Sequence, residues 1–81
     1  MSAEARPITA GAFAEAIQEL ELGSLHAKAA ELRNSIYHMQ RSNAQLAPFA
    51  AEGDQDCADA ITENDDVMRR YRARIELLKE E

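Results

Sequence analysis

Two histidines, one cysteine, a surplus of carboxylates and an arginine block are the residues of this 81-residue chain from which chemistry could be built. His26 and His38 lie on different helix faces from each other and from Cys57, so no metal-ligand set converges, and neither metal nor cofactor is expected. The lone cysteine forms no CxxC pair and no internal disulfide, which suits a reducing compartment. The Asp and Glu residues fall mostly on solvated helix faces, with no Ser/His/Asp grouping and no glycine-rich phosphate loop. An enzyme is therefore not expected. The block "RRYRAR", Arg69 to Arg74, would suit a phosphate backbone in isolation, but Tyr71 is needed for packing, acids precede and follow the block, and the net charge is -6. A solvated face or a protein contact is the better reading, and no nucleic-acid partner is expected.

The elements that must position these residues are helical. Ala, Glu, Leu and Arg dominate a sequence with 5% aromatic residues, three Gly and two Pro. No apolar run approaches 18 residues and no signal-peptide pattern is present, so neither a membrane nor export is expected, and the location reads as cytoplasmic or nuclear. Residues 1–8, small, polar and interrupted by Pro7, read as a flexible tail before a single helical domain over 9–81. Thr9 can cap a short helix over 9–22 whose narrow apolar stripe is Phe13, Ile17 and Leu20, and Gly23 and Ser24 read as its end and the cap of the next.

The second segment, 24–47, repeats apolar residues every seven positions at Leu25, Leu32, Met39 and Leu46, interleaved with Ala29, Ile36, Asn43 and Ala50. Alternating steps of four and three define a coiled-coil seam. Pro48 lacks a backbone N–H and crowds the carbonyl of Ala44, so the helix is expected to kink or stop there, with a turn over roughly Ala47 to Gly53. Asp54 then caps a third segment, 54–81, with the same alternation at Cys57, Ile61, Asn64, Met68, Tyr71, Ile75 and Leu78. The fold class expected is all-α: an antiparallel coiled-coil helical hairpin with a short N-terminal helix.

In such a hairpin, the position numbers of facing residues add to a constant. Leu46 with Ile61, Asn43 with Asn64, Met39 with Met68, Ile36 with Tyr71 and Leu32 with Ile75 all obey one constant, which makes neighbours of the only two seam asparagines. An amide left alone in the seam costs about 1 to 3 kcal/mol, whereas facing amides satisfy each other, so Asn43 and Asn64 read as register-setting residues. Tyr37 and Leu77 lie off the seam and, with Val67, are the apolar side chains the hairpin explains least. Isolated exposed apolar residues are common; as functional groups they would anchor another helix.

Two stretches go beyond generic coiled coil. Ser35, Ile36, His38, Met39, Arg41, Ser42, Asn43 and Leu46 form one phrase; Ala60, Ile61, Glu63 and Asn64 form a second, followed by Arg74 to Glu81. Together they resemble the fungal translation-machinery-associated protein family, the ATPase-dedicated chaperones of the proteasome base, over a little more than half the chain. Pro48 and Cys57 depart from that pattern near the turn. The resemblance implies an assembly chaperone that binds one ATPase subunit of the proteasome regulatory particle, through that subunit's N-terminal coiled coil, and promotes its pairing with a neighbouring ATPase. On that basis, the partner-binding residues expected are Tyr37, Arg41, Val67, Arg70, Arg74 and Leu77. The competing expectation, from a different class, is a self-associating structural or adaptor subunit.

Overall fold

The computed structural model describes residues 9–80, which form two helices: α1, Ala10–Ala51, of 42 residues, and α2, Gln55–Lys79, of 25 residues. They fold back on each other as an antiparallel hairpin, the all-α architecture expected from the heptads. The molecule measures 71 × 29 × 13 Å with a radius of gyration of 21.3 Å. A compact domain of this length would have a radius of gyration near ~12 Å, so the shape is that of a rod.

Both helices are capped by side chains that satisfy otherwise orphaned N–H groups. The Thr9 hydroxyl accepts from the Ala12 N–H at 3.1 Å, and Asp54 Oδ1 accepts from the Cys57 N–H at 3.1 Å. Between them, the reversal takes only Glu52, Gly53 and Asp54. Gly53 adopts φ 101°, a left-handed conformation that an L side chain resists. This lets the Gly53 N–H reach the Ala50 carbonyl at 3.1 Å and the Asp54 N–H reach the Phe49 carbonyl at 3.0 Å. Asp54 thus ends one helix through its backbone and starts the next through its side chain.

The segmentation expected from sequence needs three corrections. No separate short helix exists over 9–22: Ala10–Ala51 is one helix that passes through Gly23 and Ser24. A single glycine inside a helix costs about 1 kcal/mol, less than abandoning several consecutive backbone hydrogen bonds where no second element waits to receive the chain. Nor does α1 stop at Ala47. Pro48 lies inside it, in the last turn, where its fixed φ is helical and its missing N–H costs one bond to the Ala44 carbonyl, and the turn shrinks accordingly to Glu52–Asp54. Finally, α2 ends at Lys79 with Glu80 as its cap, short of 81. The tail expected over 1–8, and Glu81, lie outside the described residues.

The core is the seam itself. Ala29, Leu32 and Ile36 of α1 and Met68 and Ile75 of α2 are buried, with Met39, Tyr71 and Leu78 packed partly buried against them. Among the described residues no large side chain is fully buried. A two-helix layer cannot enclose a side chain from every direction, so its stability rests on a few half-shared contacts.

Candidate protein-interaction surface

The hairpin holds one polar layer. Asn64 Nδ2 donates to Asn43 Oδ1 at 2.9 Å, and Asn43 Nδ2 in turn donates to Asp65 Oδ1 at 3.0 Å. The two amides meet, as the heptad pairing places them, but they do not satisfy each other reciprocally: the chain of hydrogen bonds ends on a solvent-exposed carboxylate. Asp65 is the member that the pairing arithmetic missed. The signal for it was its position immediately after Asn64, at the flank of the seam. By accepting from Asn43, Asp65 fixes which way that amide points and so presents Oδ1 to Asn64. Among the described residues no buried side-chain polar atom is left without a partner.

The six residues put forward as partner contacts divide between two edges of the rod. Val67, Arg70, Arg74 and Leu77 recur at steps of three and four and form one stripe along α2. Val67 is half-buried, Leu77 is 63% exposed, and both arginines face solvent. The guanidinium of Arg74 lies over the ring of the seam residue Tyr71, 5.5 Å from its centroid. Tyr37 and Arg41 lie one turn apart on α1, and their heptad positions place them toward the opposite edge. There Arg41 stands over the Tyr37 ring at 5.8 Å, and His38 meets that ring edge-on at 5.7 Å. Tyr37, 52% exposed, is thus engaged within its own helix.

Beside the α2 stripe, the half-buried Ser35, Ser42, Ala60 and Val67 line a shallow edge that ends at Phe49, 56% exposed, near the turn. On the other edge, Leu22, Leu25, His26, Ala29, Arg33, Leu78 and Lys79 surround a cleft of about 290 Å³ where α2 ends and α1 continues alone. Beyond that cleft, Phe13, Ile17 and Leu20 protrude from the unpaired part of α1, flanked by Glu15, Glu19 and Glu21.

Charge is distributed in bands along the rod. The acids from Asp54 to Asp66 occupy the turn end, and the arginines from Arg69 to Arg74 occupy the middle, where, among the described residues, Arg69 alone is ion-paired, to Asp66 at 2.8 Å. Near the turn, partial burial first, and then the charge and hydrogen bond of Asp54 and the charge of Asp56, push the Cys57 thiol above its ordinary pKa. The thiolate, the reactive form, is thereby disfavoured. Among the described residues no group of His, Cys, Asp or Glu is placed to hold a metal ion, and no helix is long and apolar enough to cross a membrane. The arrangement offers faces for other helices.

Neither the comparison with curated proteins nor that with solved structures yields a match. The family model described as the TMA17 helical domain matches residues 9–81, which takes in both helices, the turn, the asparagine layer and the N-terminal extension of α1. The chain belongs to the TMA17 helical-domain family, the family of ATPase-dedicated proteasome assembly chaperones.

Proposed function

We propose that this protein is an assembly chaperone that binds one ATPase subunit of the proteasome regulatory particle base and promotes its pairing with a neighbouring ATPase. The observation that carries the reading is the family match, which spans both helices and the turn. The physical form supports it. A rod with a single polar layer in its seam offers a preorganised outer face, so little ordering is required when a second helix docks.

The α2 stripe is the surface to which we assign the ATPase coiled coil. Leu77 and Val67 supply the apolar contact, and Arg70 and Arg74, which have no ion pair among the described residues, would meet carboxylates on the incoming helix. Tyr37 and Arg41, on the other edge, would touch a second helix of the same partner or none. The interface is small, which suits a chaperone that must leave once the ATPase has found its neighbour. Such a protein works in the cytoplasm or nucleus and uses no ATP of its own.

The test is a pulldown in which each proteasomal ATPase subunit is presented separately. Strong retention of one is expected, with loss on Leu77→Asp; equal retention of all, or of none, sinks the proposal.

A further inference from the structure

The α2 stripe reads Ala60, Glu63, Val67, Arg70, Arg74, Leu77, and its chemistry is complementary to itself when reversed. Two copies of α2 laid antiparallel about a twofold axis between Met68 and Arg69 bring Ala60 against Leu77 of the second copy, Glu63 against Arg74, and Val67 against Arg70. Each end then pairs a small side chain with a large one, the next layer inward at each end pairs a carboxylate with a guanidinium, and the two central layers lay the aliphatic stem of Arg70 on Val67 with the charged head free to reach solvent. We propose that the protein forms a homodimer through this stripe, with reciprocal Glu63–Arg74 ion pairs across the interface.

Several observations single out a second copy as the occupant. Glu63, Arg70 and Arg74 are exposed and, among the described residues, none is ion-paired within the chain. A parallel arrangement would set Glu63 against Glu63 and Arg74 against Arg74, so charge selects the antiparallel one. Phe49 follows α1 along the edge beside Ala60, and the same twofold brings it over Leu77 of the second copy. The two apolar side chains, 56% and 63% exposed in the single chain, are thereby covered together. A twofold interface of this kind uses the same patch on both chains and closes on itself, giving a dimer and no larger assembly. Six side chains and a flanking phenylalanine on each chain fall short of the ~800 Å² per partner of a standard stable interface, so the dimer is a weak, reversible one.

The dimer does not depend on the function proposed above, but one consequence does. Because it covers the stripe assigned to the ATPase helix, self-association and partner capture would compete, and the free chaperone would shield its own binding face.

Sedimentation velocity over a concentration series tests the arrangement. The unmodified protein is expected to shift from monomer to dimer with concentration, and E63R and R74E, each alone, to weaken dimerisation at least about tenfold by placing like charges in contact. The double variant E63R/R74E, and an equimolar mixture of the two single variants, are both expected to recover the dimer, since each restores opposite charges at both contacts. Circular dichroism of each variant checks that the hairpin is intact; because both positions are solvent-exposed, no loss of helix is expected. L77D provides a second route to the monomer. A protein that stays monomeric throughout the series overturns the proposal, as does a dimer indifferent to both reversals or a mixture that fails to associate. Retention of an ATPase subunit is measured separately, so loss of one result leaves the other readable.

Discussion

The single helix α1 contains two regions that differ in what holds them. From Ala29 to Met39 its inner face is packed, with Leu32, Ile36 and Met39 in one cluster with Met68, Tyr71, Ile75 and Leu78 of α2, and helix and packing reinforce each other. From Ala10 to Ser24 every residue is exposed, and the stripe of Phe13, Ile17 and Leu20 has rotated off the seam face onto a different side of the helix. Beyond Leu22, which borders the cleft at the end of α2, the extension is not packed on α2 and persists on local propensity, the Thr9 cap and continuity with the packed segment. Helical structure and tertiary stability are separable, even within one uninterrupted helix.

The largest effect expected from that difference is in truncation of seam residues. Leu32→Ala should cost about 2 to 5 kcal/mol, enough to leave a core this small near its unfolding midpoint at room temperature, whereas Ile17→Ala should cost less than about 0.5 kcal/mol. Urea titration followed by circular dichroism measures both. Equal losses would mean that the extension is packed in solution on something the single chain does not show.

Next in size is the turn. Gly53 holds φ 101° with open space around it, so Gly53→Ala meets no clash with a neighbour and reports the backbone strain alone. A destabilisation of about 1 to 2 kcal/mol is expected. The same titration checks it, and a neutral result would show that the reversal adjusts without the left-handed residue.

How much of this was legible in the sequence follows the same division. The seam was readable because a strict alternation of four and three over several heptads leaves one solution, and the same arithmetic that paired Leu32 with Ile75 also paired Asn43 with Asn64. Gly23–Ser24 and Pro48 were misread because local signals for a helix end are conditional. They act where the chain has another element to enter, and a long helix already supported on one side absorbs each as the loss of about one bond or about 1 kcal/mol. The residues proposed as partner contacts were chosen by side-chain type, and the sequence did not group them by face. Tyr37 and Arg41 belong to a different edge from the α2 stripe, and heptad position, not side-chain character, separates them. Asp65 left only a weak signal, its place beside Asn64 at the seam flank, because flanking carboxylates are common and its hydrogen bond to Asn43 is what distinguishes it.

The asparagine layer sharpens the comparison at about 1 kcal/mol. Asn64→Ala removes the donor to Asn43 Oδ1 and should cost about 1 to 1.5 kcal/mol, while Asp65→Ala, which removes only the exposed end of the relay, should cost less. Replacing both Asn43 and Asn64 with Leu should raise the melting temperature while admitting other registers or oligomers, visible as heterogeneity in sedimentation. A stable, monodisperse hairpin from that double variant would show that the tight turn alone sets the alignment.

The smallest effect separates helix content from stability most directly. A Cβ at Gly23 would meet no atom within 4 Å, and this glycine keeps helical geometry, so Gly23→Ala improves local propensity by about 0.8 to 1 kcal/mol without adding a tertiary contact. If the extension frays independently of the hairpin, that gain should appear as increased ellipticity and slowed amide exchange at residues 10–24, with the urea midpoint of the hairpin nearly unchanged. A clear shift of that midpoint would instead show that the extension and the hairpin unfold as one cooperative unit. In that case, the unpaired stripe of Phe13, Ile17 and Leu20 would be presented by a structure as rigid as the hairpin, ready to bind without the cost of ordering it first.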